Sequence, residues 1–463
     1  MRCLTRSLAA LVALTVLMLP GTAAAQSTET LLDRLRAVPG LTVEERPAPA
    51  PYRYFVMSYT QLVDHAQPER GTFQQRLTLL HRALDQPTIL YTSGYAVSTT
   101  PSRSEPTRLV DGNQISVEQR FFSPSRPNPT DWETLDIWQA ASDHHRIVAA
   151  LRPIYGGRWL STGASKGGMA SIYHRRFYPD DVDGTVAYVA PNDVVNAEDS
   201  AYTDFFQRAG TPECRAALTA LEREALGPRR EELVARYVAA AAAGGWTFQT
   251  LQSPDRAFEM LVLDTAWGFW QYHTAAECPR IPSASASTDA LYDFLDEIVS
   301  FRFYSDQGLD FYVPYYFQAG TQLGWPEPSF DRLKDLLRYK GLYQARSSVP
   351  AWLQMRFAPQ QMRDIDNWVK QRASELLFVY GENDPWSAER FVLGPWTRDS
   401  YWYEVAGGNH RSNISQLPVG QRNEATATVQ RWATLGEAAA PRLAAPRDAA
   451  LDARERASEH RPA

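Results

Sequence analysis

A serine flanked by glycines is the first feature of this sequence that could carry out chemistry. Residues 163–167, Gly-Ala-Ser-Lys-Gly, match the pattern G-x-S-x-G, in which a sharp strand-to-helix turn holds a serine hydroxyl above a sheet. An apolar segment at 158–162 precedes the pattern and an amphipathic segment reaching Phe177 follows it, as such a turn requires. The alternative is an ordinary turn with a solvated serine. We interpret Ser165 as a nucleophile.

A serine hydroxyl becomes reactive when a base takes its proton, and eight histidines are available. In α/β hydrolases the acid and then the histidine follow the serine along the chain. His410 meets this condition, because it lies in a glycine-rich loop after a predicted strand and before a polar C-terminal tail. The other seven precede the serine, lie on predicted helices or the helical insertion, or fall in the tail: His65, His81, His144, His145, His174, His273 and His460.

The acid of such a triad should follow the predicted strand 376–380, and both Glu382 and Asp384 do so. Pro385 biases the backbone of Asp384 towards an extended conformation, which favours Asp384. Its carboxylate would orient the imidazole and stabilise the imidazolium.

Acyl transfer also needs N–H donors for the oxyanion. We expect one from the backbone of Lys166 and one from Tyr95, in the loop that follows the predicted strand 87–92. The alternative for that loop is a plain turn. The sequence contains no convincing metal-binding spacing and no phosphate-binding or dinucleotide-binding loop.

Strands and helices alternate around these residues, which predicts the α/β class with a mainly parallel sheet. From Val194 to Lys370 the pattern is mostly helical, with one long helix over 215–243, so a large helical cap is predicted inside an α/β core. The predicted strands are 52–59, 73–80, 87–92, 115–122, 158–162, 185–190, 376–380 and 401–405. The predicted core helices are 131–151, with Asp131 as N-cap, then a helix to 177, and 421–435.

The N-terminus has the features of a signal peptide: basic Arg2 and Arg6, an apolar run over 8–19, and three alanines at 23–25. A membrane anchor is the alternative, but the run is shorter than the ~20 residues that span a bilayer. We therefore predict export to the periplasm or the medium, with no membrane contact after cleavage. The predicted organisation is signal 1–25, mobile lead-in 26–50, core 51–193, cap 194–370, core 371–436 and disordered tail 437–463.

Composition narrows the function classes. The chain has 463 residues, 44% of them hydrophobic, and a formal net charge of −6. This is ordinary globular usage, and the acidic balance argues against nucleic acid as the main partner. Of three cysteines, Cys3 would leave with the signal, so Cys214 and Cys278 could pair in an oxidising compartment. Two separate buried thiols are the alternative.

Three segments together resemble the exported prolyl tri/tetrapeptidyl aminopeptidases, serine peptidases related to the Pro-Xaa carboxypeptidase and dipeptidyl-peptidase group. They are residues 163–168, residues 381–386 with their Asp-Pro-Trp, and residues 407–410. Residues 117–122 and 316–324 are similar to two further segments of the wider group, with Gln119, Gly320 and Gln322 at positions of difference. The resemblance extends over residues 50–435.

This resemblance implies an α/β-hydrolase core with a helical cap and no cofactor. It also implies removal of tripeptides or tetrapeptides from peptide substrates with free N-termini, with proline preferred before the scissile bond. A lipase or carboxylesterase on the same fold is the alternative, and a non-catalytic binding protein is a third possibility. The oligomeric state stays open.

Substrate-binding candidates follow from the implied activity. Aromatic side chains could pack on a proline ring, and we select Tyr315, Tyr316, Trp325 and Trp386, although such residues also form cap cores. An aminopeptidase must bind an ammonium group, for which a carboxylate is the obvious partner. Glu118 and Asp193, both just after predicted strands, are the candidates, and Glu198 is a weaker one.

Overall fold

The computed structural model describes residues 30–194, 199–434 and 444–452. A nine-stranded sheet in the order β1-β2-β3-β5-β4-β6-β7-β8-β9 organises this part of the chain. The first three strands pair antiparallel, as does β3 with β5, and every pair from β5 to β9 is parallel. The strands are β1 Leu41–Arg46, β2 Arg53–Leu62, β3 Thr72–His81, β4 Thr88–Thr92, β5 Asn113–Val117, β6 Trp159–Ala164, β7 Gly184–Tyr188, β8 Leu376–Gly381 and β9 Tyr401–Val405.

Helices cover both faces of the sheet and form a separate cap. They are α1 Leu31–Arg36, α2 Glu105–Leu109, α3 Ile137–Leu151, α4 Lys166–Phe177, α5 Ser200–Arg208, α6 Pro212–Leu226, α7 Arg230–Gly244, α8 Pro254–Leu263, α9 Thr265–Tyr272, α10 Thr288–Ile298, α11 Asp306–Leu309, α12 Val313–Gln318, α13 Gln360–Gln371 and α14 Val419–Trp432.

The parallel strands are apolar on both faces because both faces are covered. Along β8, Leu377 and Val379 point to the layer that contains α2 and α14, whereas Leu376 and Phe378 point to α4 and α13. This alternation with a period of two is the geometry of a strand. The predicted α/β-hydrolase architecture, with a mainly parallel sheet and an inserted helical cap, is confirmed.

The cap packs around a hydrophobic cluster built from α5 to α12 and the segment that follows them, and this cluster also includes Phe121, Phe122, Leu135 and Trp386 of the α/β core. Its boundary differs from the prediction of 194–370, because α13 packs on the sheet through Met362, Ile365 and Val369. The cap helices therefore end before Gln360. Within the cap, the predicted helix 215–243 is two helices, because Gly227-Pro228 interrupts it.

Two other core predictions need correction. Asp131 caps only a short turn, and α3 begins later with Asp136 as N-cap, whose carboxylate accepts a hydrogen bond from Gln139 N at 2.7 Å. The strand predicted over 115–122 ends at Val117, because the next residues turn inwards and Phe121 adopts a φ of 74°.

The predicted mobile lead-in 26–50 is wrong from Thr30 onwards. Thr30 caps α1 through a reciprocal capping box, and β1 then pairs along its length with β2. Leu31, Leu35 and Leu41 are buried, which anchors this segment to the core. The predicted signal peptide lies outside the described residues.

The predicted disordered tail is wrong for residues 444–452. Leu451 is buried against Tyr52, Tyr54 and Leu80, and Asp452 pairs with the buried guanidinium of Arg103 at 2.6 Å. The remainder of that prediction falls outside the described residues. Of the helices in the described part, none is both long and apolar enough to cross a membrane.

Candidate active site

The turn between β6 and α4 has the geometry expected of a nucleophile elbow. Ser165 adopts a φ of 55°, which is uncommon and strained for a residue other than glycine. Its glycine neighbours permit close packing, because a Cβ atom on Gly163 would lie 2.3 Å from the Gly167 carbonyl oxygen. On Gly167 it would lie 2.3 Å from the Thr92 carbonyl oxygen. The strained turn therefore raises the Ser165 side chain above the carboxyl edge of the sheet.

Asp384 and His410 meet at the same edge. Nδ1 of His410 lies 2.9 and 3.0 Å from the two carboxylate oxygens of Asp384, and both side chains are buried. This contact holds the proton on Nδ1 and leaves Nε2 free to act as a base. The Asp384 carboxylate also accepts hydrogen bonds from Trp386 N and Ser387 Oγ.

The alternative acid, Glu382, has a different role. Its carboxylate accepts a hydrogen bond from Gly407 N at 2.7 Å, so it supports the loop that carries the histidine. The structure thus brings Asp384, not Glu382, to the imidazole of His410.

A cavity lies between the core and the cap and contains both Ser165 and His410 in its wall. The cap contributes Gln271 and Tyr272 from the end of α9, together with Tyr312. The Gln271 carbonyl also accepts a hydrogen bond from His410 N at 3.0 Å. The cap therefore roofs the cavity and helps to position the histidine, a role that no local sequence pattern indicates.

The two predicted oxyanion donors differ in their environments. The N–H of Lys166 is the first in α4, and such an N–H has no acceptor within its helix. Tyr95 lies in the cavity wall, but its N–H donates to Ser93 Oγ at 3.1 Å. The loop that carries Tyr95 does reach the elbow, because a Cβ atom on Gly94 would lie 2.5 Å from Gly167 N.

The side chain of Lys166 is an element that sequence reasoning missed. It is buried beneath the same loop, where Nζ donates to the Gly94 carbonyl at 2.9 Å. Nζ also lies 5.6 Å from the centre of the Tyr95 ring and 5.7 Å from that of Phe122. Burial lowers the pKa of Lys166 to about 7. This lysine therefore braces the predicted oxyanion loop against the elbow.

Glu118, one of the two ammonium-binding candidates, is saturated with hydrogen bonds. It is fully buried and accepts from the guanidinium of Arg76, from Ser125 and from Val97 N. These donors come from β3 and from the loops after β4 and β5, so the carboxylate of Glu118 supports both loops and has these partners in place of a substrate ammonium group.

Asp193, the other candidate, lies at the junction between core and cap. Its side chain is 4% exposed, and within the described residues neither carboxylate oxygen has a hydrogen-bond donor. Glu198 lies outside the described residues.

Three of the four aromatic candidates form a chain of rings next to the triad. The ring centres of Trp386 and His410 are 6.3 Å apart, as are those of Trp325 and Trp386. The ring centres of Tyr315 and Tyr95 are 5.9 Å apart. Tyr316 packs behind Trp325 at 5.4 Å, and all four are buried in the cap core, so their packing role is evident.

The two cysteines of the cap are joined. Cys214 at the start of α6 and Cys278 form a disulfide with a Cα–Cα distance of 5.4 Å. The bond ties α6 to the segment that follows α9, and neither cysteine lines the cavity.

Comparison with known proteins gives a consistent picture. The family model of the PS-10 peptidase S37 family matches residues 24–463. The prolyl tri/tetrapeptidyl aminopeptidase of Streptomyces mobaraensis is 54% identical over 429 residues, which cover 91% of this chain and 90% of that protein.

Solved structures were compared as well. Proline iminopeptidase from Mycobacterium smegmatis has 15% identity and a TM-score of 0.34, covering 84% of this chain and 98% of that one. Epoxide hydrolase A from Mycobacterium thermoresistibile has 13% identity and a TM-score of 0.33, with the same coverage of 84% and 98%.

Proposed function

Because this chain belongs to the peptidase S37 family, we propose that it is an exported serine exopeptidase acting on free N-termini. It releases tripeptides or tetrapeptides and prefers proline before the scissile bond, like the activity that its Streptomyces mobaraensis relative is named for. The observation that carries the proposal is the buried Asp384–His410 pair beside Ser165 in one cavity under the cap. An ester hydrolase could use the same triad, but the identity to a peptidase favours peptide substrates.

The proposed mechanism assigns each group a step. Ser165 Oγ attacks the scissile carbonyl carbon while Nε2 of His410 takes the hydroxyl proton, and Asp384 stabilises the resulting imidazolium. The oxyanion accepts hydrogen bonds from the N–H of Lys166 and from the braced loop. The C–N bond then breaks, His410 gives its proton to the leaving amine, and water hydrolyses the acyl-enzyme by the same route.

Export is part of the proposal. It rests on the signal-like sequence of residues 1–25 and on the Cys214–Cys278 disulfide, which is typical of oxidising compartments. N-terminal sequencing of the protein recovered from outside the cytoplasm should give Gln26 as the first residue. Recovery of an uncleaved chain from the cytoplasm would contradict this part.

The activity is tested with an Ala-Ala-Pro amide that releases a fluorescent amine, compared with its N-acetylated form and with a proline-free tripeptide amide. We expect fast release from the free Ala-Ala-Pro amide, slower release from the proline-free amide, and little from the acetylated one. Equal turnover of the free and acetylated forms would overturn the exopeptidase proposal. Turnover of acyl esters without cleavage of any peptide amide would identify a carboxylesterase instead.

A further inference from the structure

Among the described residues, Asp193 is the one buried carboxylate whose two oxygens both lack a hydrogen-bond partner. Buried polar atoms are almost always hydrogen-bonded, and an unpaired buried carboxylate is costly. In the described residues neither Oδ1 nor Oδ2 of Asp193 has a partner, although the side chain is only 4% exposed. Such a group points to a ligand that is absent from the structure.

The charge around Asp193 favours a cation. The pKa of its carboxyl group is raised to about 8, first by burial and then by the nearby carboxylates of Glu389, Asp199 and Glu327. No lysine or arginine in the described part of the chain forms an ion pair with Asp193. A positive group that entered here would find acceptors and no competing cation.

Tyr202 supplies a second acceptor. Its side chain on α5 is fully buried, and its hydroxyl has no hydrogen-bond partner among the described residues. Burial raises the pKa of this phenol, and the charge of Asp193 raises it further. The two groups therefore interact electrostatically, and they do not hydrogen-bond each other. A carboxylate and a hydroxyl oxygen together suit an ammonium group, which has three N–H donors.

Gly324 places Asp193 beside the aromatic candidates Trp325 and Trp386, along which we expect the substrate to lie. Its φ is +90°, and a Cβ atom there would lie 2.5 Å from Cγ of Asp193, so only glycine permits this approach. Trp325 follows directly, and two ring-to-ring steps of 6.3 Å lead from it through Trp386 to His410. Three extended residues span about 10 Å, which is of the same order as the separation that these two ring-to-ring steps cover.

We propose that Asp193 and Tyr202 bind the α-ammonium group of the substrate, so that they end the substrate path and select free N-termini. The inference rests on the proposed exopeptidase function. It adds the residues that hold the substrate N-terminus and so determine how many residues lie between it and the scissile bond. Both act in binding, and neither takes part in the bond-breaking steps at Ser165.

The test uses three variants. Asp193→Asn keeps the shape of the side chain but cannot carry a charge, and Tyr202→Phe removes the hydroxyl group. Glu118→Gln is the matched control, because it changes the other buried carboxylate. Each variant is assayed with the free and the N-acetylated Ala-Ala-Pro amide, and with a fluorophosphonate that labels Ser165 but has no ammonium group. Separate kcat and KM values and the melting temperature are recorded.

Asp193→Asn should lower kcat/KM for the free amide at least about 30-fold, mainly through KM, because a charge-assisted contact is lost. The acetylated amide and the labelling rate should be nearly unaffected, so the preference for the free form collapses. Tyr202→Phe should cause a loss of about fivefold, the effect of one neutral hydrogen bond. Glu118→Gln should keep the wild-type preference.

An unchanged preference in Asp193→Asn and Tyr202→Phe would overturn the inference and would identify Asp193 as a protonated core residue. If Asp193→Asn fails to fold, Tyr202→Phe decides alone, since only one hydroxyl is removed. Failure of the proposed function is a separate result, because the wild-type protein would then cleave free and acetylated amides equally.

Discussion

Glu118, directly after β5, is surrounded by donors, whereas Asp193, after β7, has none among the described residues. Both carboxylates are buried near the carboxyl edge of the same sheet. Burial raises the pKa of both, but only Glu118 has a guanidinium beside it, that of Arg76. This difference shows that burial alone does not distinguish a structural carboxylate from one that binds a ligand. A buried carboxylate with every partner supplied by the protein supports the fold, whereas we propose that the unpartnered carboxylate of Asp193 binds a ligand.

The largest effect is expected from a variant that removes the catalytic chemistry and leaves the fold unchanged. Ser165→Ala should lower kcat by at least about 10³-fold, because the nucleophile is removed. Its melting temperature should match the wild type, since the elbow backbone is unchanged. Rates within tenfold of the wild type on the free Ala-Ala-Pro amide would remove Ser165 from the mechanism.

Glu118→Gln should instead cost stability. We expect a loss of about 3 kcal/mol in the free energy of unfolding, at the low end for breaking a buried ion pair because Arg76 is a quarter exposed. Denaturant titration of the purified variant measures this loss. A stable Glu118→Gln with a lost preference for free N-termini would reverse the comparison with Asp193.

Lys166 extends the comparison to a buried cation. Burial lowers its pKa to about 7, so between pH 7 and 10 the unfolded chain binds a proton that the folded protein does not. The stability of the wild type should therefore rise with pH relative to Lys166→Met, by about 2 kcal/mol between pH 6 and 9. Denaturation of both proteins at several pH values tests this, and a constant difference would contradict it.

The carboxylate of Asp452 has a partner but lies near the surface, so its removal should cause the smallest loss of stability. It pairs with Arg103 but is about a quarter exposed, and Arg103 would keep its hydrogen bonds to Tyr52 and to the Pro446 carbonyl. Asp452→Ala should therefore cost about 1.5 kcal/mol, less than the loss of a buried carboxylate, because the guanidinium that it leaves behind keeps two acceptors. Calorimetry should show a small decrease in melting temperature. A loss as large as that of Glu118→Gln would mean that these two acceptors do not compensate for the lost carboxylate.

The core was predictable where short-range patterns determine structure. The strand, turn and helix around Ser165 are encoded in consecutive residues, and the order of Asp384 and His410 follows from their positions after predicted strands. The lead-in was not predictable in this way, because β1 gains its stability from pairing with β2. The C-terminal contact of Asp452 likewise depends on Arg103, which is far away in the sequence.

By itself the sequence determined the nucleophile elbow, the candidate acid and base, and the presence of a large helical insertion, because each is expressed in local spacing or periodicity. Tertiary structure decided which buried carboxylate is satisfied. The donor to Glu118 comes from Arg76, 42 residues earlier, whereas no segment of the described chain brings a donor to Asp193. It also decided that α9 of the cap holds the backbone of His410. Such partners depend on which distant segments meet in the folded protein. The spacing of residues along the chain does not show which segments will meet.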